Sequence, residues 1–367
     1  MNIYQKYGLK QIINASGKMT ALGGSALNSM VARAMFEAAQ DYVDMQELTI
    51  KAGKIIAEMT TAEDGCPTVG AAAGIAISTA ALIAGKNLTL IERLPYSEGL
   101  SNEIIIQKGH LINFGASIAQ MIRLGGGRVV EVGQVNHVKK DHILESISEK
   151  TAAIFYVKSH HAAKKGMLST SEIIEIGREK NIPVIIDAAA EEDIKKYIQN
   201  GANLVIYSGG KAIGGPTSGF ICGEKELVEA CRLQYLGVGR AMKVGKEQIM
   251  GLIAALEIYY DRVETKQEEL QKAKWIVEQF KNIQGITASI IQDEAGREIY
   301  RAQLKFDEKK LKISTDEIIN KLERGEPSIF IRNYYANLGI ISIDPRTLLS
   351  GQEKIIVNRI KEILNIQ

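Results

Sequence analysis

Four aliphatic runs lie in the middle of the chain: "NEIIIQ" (102–107), "TAAIFYV" (151–157), "IPVIID" (182–187) and "ANLVIYS" (202–208). Each has a continuous, largely β-branched apolar core and is too short for a helix, which is how a strand covered on both faces reads. Helical segments fall between them. "SIAQMIRLG" is one, and "STSEIIEIGREKN" is another, with hydroxyl residues at its start and basic residues in its last turn. "RVVEVG" adds a strand, and "DHILESISEK" reads as a helix opened by an acidic N-cap. This alternation predicts a mainly parallel sheet with helices on both sides, an α/β class.

The alternation begins at about residue 51 with two helical stretches, "KAGKIIAEMTT" and "TVGAAAGIAISTAALIAG". The texture changes after about residue 245. A long, charged helical stretch follows, then short strands ("ITASIIQ", "YRAQLKF", "SIFIRNY", "LGIISID") mixed with helices. The expected organisation is an N-terminal arm over 1–50 contributing to the active site and the small domain, a large domain over 51–245, a connecting helix over 246–284 and a small α+β domain over 285–367. A chain of 367 residues suits one large and one small domain. Net charge is +2, which gives no electrostatic case for a nucleic-acid partner. Three scattered cysteines, Cys66, Cys222 and Cys231, make neither a disulfide framework nor a metal site. The start of the chain lacks the apolar segment of a signal peptide, and the small-residue stretch at 69–85 reads as a buried helix and not a membrane span. A cytoplasmic protein is expected.

In an open parallel sheet, ligands bind beyond the carboxyl ends of the strands. Four features occupy such places. Asp187 ends "IPVIID", where a carboxylate is costly unless paired; it reads either as a helix N-cap or as the counter-ion of a protonated heterocycle nitrogen. Lys211 follows the next strand in "SGGKAIGGPTSGFICG", and a strand resumes directly after it. A desolvated lysine beside a positive cofactor is a nucleophilic amine, as Schiff-base chemistry requires, while a solvated loop lysine is the plainer reading. Ser208, three residues earlier, is placed to donate to a phosphate. The start of "TVGAAAGIAISTAA" offers free backbone N–H groups to an anion, or else serves tight helix packing. His110, just after a strand, is either a core histidine or a ring that meets a cofactor ring.

Taken in chain order, an anion site, a ring contact, an aspartate and a serine-x-x-lysine follow the pattern of pyridoxal-phosphate enzymes of the aspartate-aminotransferase fold type. The detail is closer. "SGGKAIGGPTSGFICG", "INASGKMTALG" and "GAAAG" resemble the selenocysteine synthase-like (SelA-like) family of fold type I enzymes. "VKSHHAAKKGMLS", "GVGRAMKVGKEQIMGLIAALE" and "IRNYYANLGIISIDPR" are similar to its subgroup of D-glucosaminate-6-phosphate ammonia-lyases.

The resemblance implies pyridoxal 5'-phosphate bound covalently to Lys211, Asp187 on the pyridine nitrogen, and Ser208 with the backbone of Gly70, Ala71 and Ala72 on the phosphate. It places His110 near the ring, Ser159 or His161 near the ring hydroxyl and Ala189 on the ring face. Arg332, with Arg346 second, is implied for the substrate carboxylate, and Arg240, Lys243 and Lys246 for a phosphate. The implied activity is α,β-elimination of a phosphorylated 2-amino-3-hydroxy sugar acid, with His161 or Lys211 protonating the leaving hydroxyl. A homodimer or larger homo-oligomer is implied too. Two readings compete: a selenium transferase or other β-eliminating enzyme on the same cofactor, and a non-catalytic cofactor-binding regulator. Selenocysteine synthase carries an extra N-terminal domain for its RNA substrate. The core motif begins here at about residue 12, so that domain is expected to be missing and no nucleic acid is expected as partner.

Overall fold

The computed structural model describes residues 3–259, 263–294 and 296–366. Its strands are β1 (Ile12–Ala15), β2 (Asp64–Thr68), β3 (Glu103–Gln107), β4 (Arg128–Val132), β5 (Thr151–Val157), β6 (Val184–Asp187), β7 (Leu204–Ser208), β8 (Gly219–Gly223), β9 (Ile286–Gln292), β10 (Tyr300–Phe306), β11 (Ser328–Ile331) and β12 (Ile340–Ile343). The chain divides into two units, residues 27–259 and residues 1–26 with 260–367.

In the larger unit a seven-stranded sheet has the order β2-β8-β7-β6-β5-β3-β4. β8 pairs antiparallel with both neighbours, while β7, β6, β5, β3 and β4 run parallel. Successive side chains of a strand point to opposite faces, and here both faces are buried. Ile186, Ile105 and Val205 enter one core, and Ile185, Ile104 and Ile206 enter the other. That is why the runs read as continuously apolar. The first core is covered by the helices Met45–Thr60, Thr170–Lys180 and Lys246–Glu257. The second is covered chiefly by the helix Ala71–Ala84, which Gly74 brings down onto β7: a Cβ there would stand 2.7 Å from Ile206 Cγ2. Full burial of each such isoleucine stabilises the unit by roughly 1.5–3 kcal/mol.

The smaller unit pairs β1 with β11 in parallel and arranges β12-β10-β9 as an antiparallel sheet. The helices Thr315–Arg324 and Gln352–Ile363 pack on a core holding Ile13, Phe280, Leu304, Ile329 and Ile341.

These boundaries differ from those read in the sequence. The arm splits: residues up to 26 belong to the smaller unit because β1 hydrogen-bonds to β11. The expected connecting helix over 246–284 is two helices. Lys246–Glu257 packs on the large sheet, and Val263–Phe280 belongs to the smaller unit. β2 lies where only a helix was expected to follow residue 60. Its sequence, "DGCPT", holds three poor strand formers, and Pro67 is tolerated because β2 is an edge strand. The helix in "DHILESISEK" is short, Lys140–Leu144, with Asp141 in its first turn and Lys139 at the cap. No helix among the described residues is long and apolar enough to cross a membrane.

Candidate active site

The carboxyl ends of β2, β3, β5, β6 and β7 share one edge of the large sheet, where Asp187, Ser208, Lys211, His110 and the start of the helix Ala71–Ala84 lie. Asp187 is the last residue of β6, in register with Val157 of β5 and Ile206 of β7, at the middle of the sheet. It is 8% exposed, and its carboxylate accepts one hydrogen bond from a described residue, the Ala189 N–H at 3.1 Å. The helix it was expected to cap starts only at Lys196, so Asp187 closes a turn instead. Burial pushes its carboxyl up to about 6, against the opposing pull of the Lys211 ammonium.

Lys211 follows β7 by three residues, in a short helical loop (Gly209–Ile213) that departs from helical geometry at Lys211 itself (φ −108°, ψ −111°). The loop is fixed to the head of β8: Gly209 N–H donates to Ser218 C=O at 2.8 Å, and Gly215 N–H donates to Gly209 C=O at 2.8 Å. A Cβ on Gly209 would collide with the Ser218 hydroxyl, so glycine alone lets the two segments meet. Ser208, half-buried at the end of β7, makes no side-chain hydrogen bond to a described residue.

The helix Ala71–Ala84 begins at Gly70 with no side chain capping its N–H groups, and the space beyond Gly70 is open. Its first turn is held against the sheet by Gly219, where a Cβ would lie 2.6 Å from Tyr207 O, 2.9 Å from Gly70 C and 3.0 Å from Ala71 N. All three neighbours are backbone. Gly219→Ala is therefore expected to push the helix start off β8 and to lower stability by about 1–3 kcal/mol, read as a fall in thermal midpoint. An unchanged midpoint would show that the close approach has slack.

His110 ends the turn after β3 and is 1% exposed. Its Nδ1 accepts the Val157 N–H at 3.3 Å, and the Ala163 carbonyl engages it as well. Burial, reinforced by Lys158 and only partly countered by Ala163, pulls the imidazole down to about 4. The ring is neutral at physiological pH, and its polar atoms face backbone. Tyr156 meets it edge-on at 4.5 Å. Ser159 accepts the His161 N–H at 3.2 Å, while His161 is exposed with its ring 3.9 Å from that of His160. Ala189 accepts a hydrogen bond from the Ser208 N–H at 3.3 Å, which ties the ends of β6 and β7 together.

A family model for SelA, L-seryl-tRNA selenium transferase, matches residues 12–316. The chain belongs to the SelA family. It is 43% identical over 363 residues to the D-glucosaminate-6-phosphate ammonia lyase of Salmonella typhimurium, covering 99% of this chain and 98% of that one. It is also 43% identical over 365 residues to a 5'-C-glycyluridine monooxygenase-decarboxylase of a Streptomyces species, covering 98% and 92%. The L-seryl-tRNA(Sec) selenium transferase of Aquifex aeolicus is more distant, at 26% over 413 residues, covering 98% and 86%. A solved D-glucosaminate-6-phosphate ammonia-lyase structure superposes with a TM-score of 0.93 at 42% identity, covering 100% and 98% of the two chains. An aspartate aminotransferase of Thermotoga maritima shares the fold alone, at 15% identity and a TM-score of 0.56 over 99% and 94%. This SelA-family chain is thus a fold type I enzyme.

Pyridoxal phosphate is the cofactor of the SelA family. The residues at the sheet edge fit it on three observations. Asp187 is a buried carboxylate with a single backbone donor, suited to a protonated ring nitrogen. The uncapped helix start at Gly70 opens onto free space. Lys211 is held by a loop in which Gly209 leaves no room for a side chain.

The smaller unit holds the arginines. Asp344 is fully buried and receives Arg301 Nε at 2.8 Å, Arg346 Nε at 2.9 Å and Arg346 Nη2 at 2.7 Å. Burial opposes its ionisation, but Arg346 and Arg301 more than offset this and hold the carboxyl well below the usual range. Arg301 also reaches Asp293 at 3.0 Å. The fork of Arg346 is thereby directed at Asp344. Arg332 is different. It donates to Ser16 C=O at 3.4 Å, lies 4.9 Å over the Tyr334 ring, and has no carboxylate within ion-pair distance among the described residues. Burial, then Arg301, lowers its proton affinity, so a bound anion would relieve it. Arg240 and Lys243 face solvent ahead of the helix Lys246–Glu257, whereas Lys246 turns inward to Ala38 C=O and to Glu247 at 3.1 Å. The pattern reading named Arg346 but missed Asp344 and Arg301, whose pairing joins residues 43 positions apart. It also passed over Glu191, which sits in an acidic run, "EED", that resembles a solvated face.

Proposed function

We propose that this enzyme is an ammonia-lyase that converts D-glucosaminate 6-phosphate into 2-keto-3-deoxy-6-phosphogluconate and ammonia. The observation that carries this reading is the full-length likeness to D-glucosaminate-6-phosphate ammonia-lyase in both sequence and structure, with Lys211 and Asp187 in place. When bound, the cofactor supplies an electron sink for the charge left at the substrate α-carbon. Asp187 keeps the ring nitrogen protonated. The N–H groups at Ala71 and Ala72, with the Ser208 hydroxyl, hold the cofactor phosphate. His110 offers its neutral ring face, while Ser159 and Ala189 border the ring. Lys211 would hold the cofactor covalently, and its amine would serve as the general base for the substrate α-proton. The hydroxyl on the next carbon then leaves as water, taking its proton from Lys211. The freed enamine tautomerises and hydrolyses to the keto acid and ammonia. Arg332 takes the substrate carboxylate, and Arg240 with Lys243 takes a phosphate. Exposed Met30, Phe36 and Tyr42 support a homo-oligomer, in which such apolar groups are covered.

His161 is the other proton donor considered for the leaving hydroxyl. It is exposed on a turn, open to water. His161→Asn is expected to lower kcat by less than about tenfold, below the usual 10²–10⁴ for a general acid. A larger loss would transfer the role to His161.

A second reading is an oxygen-dependent decarboxylation, favoured by the equal identity to the monooxygenase-decarboxylase. One assay separates the two. Purified enzyme given D-glucosaminate 6-phosphate should release ammonia and keto acid one for one without oxygen uptake. No turnover, together with oxygen uptake on 5'-C-glycyluridine, would establish the second reading instead.

A further inference from the structure

The antiparallel sheet of the smaller unit has one apolar face and one polar face. Alternation along β10 and β12 sends Ala302, Leu304, Ile341 and Ile343 into the core and turns Arg301 and Ser342 the other way. Arg332, the residue after β11, pairs with Ser342 through two backbone hydrogen bonds of 2.9 Å and so joins the polar face. Glu294 stands two residues beyond β9. Arg332, Glu294, Tyr334, Tyr335 and Ser342 line one niche over this face. Arg332 and Glu294 carry opposite charges there, yet they form no ion pair. Such charges attract unless each is held elsewhere. Both are held. Tyr335 OH donates to Glu294 Oε1 at 2.6 Å. Arg332 donates to Ser16 C=O at 3.4 Å and lies 4.9 Å over the Tyr334 ring. Arg301, on the same face, already serves Asp344 at 2.8 Å and Asp293 at 3.0 Å. A cation and an anion are thus kept apart across one small space. That suits a ligand with an anionic acceptor at one end and a donor beside it.

We propose that Glu294, held by Tyr335, is a specificity-determining residue of the Arg332 niche: it accepts a hydroxyl from the carbon chain of an acid whose carboxylate sits on Arg332, so the niche selects hydroxy acids over plain carboxylic acids. The inference rests on the reading that Arg332 takes the substrate carboxylate. A polyhydroxy acid supplies both partners at once, its carboxylate to the guanidinium fork and a nearby hydroxyl to Glu294. An ionised carboxylate has about four acceptor positions, so one that already serves Tyr335 can take a ligand hydroxyl as well. The same negative charge turns away a second anionic group. A substrate that carries both a carboxylate and a phosphate is therefore oriented with its carboxylate end in this niche. Tyr335 is the positioning residue of the pair. Without its hydroxyl, Glu294 is released toward Arg332, and the two charges close the niche on each other.

The test is a ligand-observed proton NMR titration of the cofactor-loaded protein with glycerate and with propionate, which differ in their hydroxyls alone. The parent should bind glycerate at least about tenfold more tightly, the size of one hydrogen bond to a charged group. Glu294 is exposed, so its replacement leaves the fold intact. Glu294→Ala should bring the two affinities to within about twofold of each other, and Glu294→Gln, which keeps a neutral acceptor, should restore part of the preference. Tyr335→Phe should weaken both acids together, an effect that loss of a mere surface contact does not produce. A glycerate preference that survives Glu294→Ala overturns the proposal, and Tyr335→Phe that changes neither affinity overturns the positioning role. Arg332→Ala should abolish binding of both acids. If it changes nothing, or if the parent binds neither acid, the carboxylate reading of Arg332 fails and this inference falls with it. Binding that depends on Arg332 but shows no preference confines the failure to Glu294.

Discussion

Lys211→Ala should remove both turnover and the covalent hold on the cofactor. The expected loss in kcat is at least about 10⁴-fold, because one amine serves as attachment point and as general base. The structural reason is that Lys211 lies close enough to Asp187 to act on its carboxyl. The loop Gly209–Ile213 is clamped to β8 through Gly209 and Ser218, which fixes the amine's point of attachment. Borohydride reduction followed by peptide mass analysis should label the Lys211 peptide in the parent and nothing in the variant. Substituting alanine removes a half-buried side chain from a loop anchored by backbone bonds, so the thermal midpoint of the cofactor-free form should move little. That separation distinguishes a chemical role from a structural one. A variant that keeps visible cofactor absorbance and measurable turnover would defeat the assignment.

The sequence made the sheet legible wherever side chains alternate between two buried faces. β3, β5, β6 and β7 announce themselves because Ile185 and Ile186 must both be apolar, one for each core. The same logic places Asp187 at the end of β6 and Lys211 just beyond β7. β2 was hidden because an edge strand can carry Asp64, Gly65 and Pro67 without breaking interior hydrogen bonds. The split of the long helical stretch was hidden because its two helices have similar composition yet pack on different units. The buried Arg301–Asp344 pair, which the named Arg346 joins, and the buried Glu191 were hidden for a third reason. A charge reads as solvated unless its partner is known, and here the partners arrive through strand pairing or through tyrosines several residues away. Short-range pattern reports which face is buried. It does not report which polar groups meet there.

Asp187→Asn should have opposite effects on the empty and the loaded protein. Its carboxyl is raised from 3.8 to about 6 in the folded state, burial being the main cause. A folded acid with a raised value binds more protons than the unfolded chain between those two pH values. The folded state is therefore undisturbed below about pH 4 and loses stability as pH rises through 6. At neutral pH the ionised carboxylate costs the cofactor-free protein up to about 3 kcal/mol. Asparagine fills the same space without charge, so the cofactor-free variant should melt several degrees above the parent at pH 8, and the gap should close near pH 4. Loading with pyridoxal phosphate should reverse the order. The parent gains binding energy through the pair between Asp187 and the ring nitrogen, while the variant cannot hold that proton. Activity should fall on the order of 10²–10³-fold, as when one preorganised charge-stabilising group is deleted. Melting curves of both proteins, with and without cofactor at pH 4 and pH 8, decide the matter. If the cofactor-free variant is less stable at pH 8, Asp187 is a structural turn residue. If it is more stable there and inactive when loaded, the protein carries a destabilising buried charge that its cofactor neutralises.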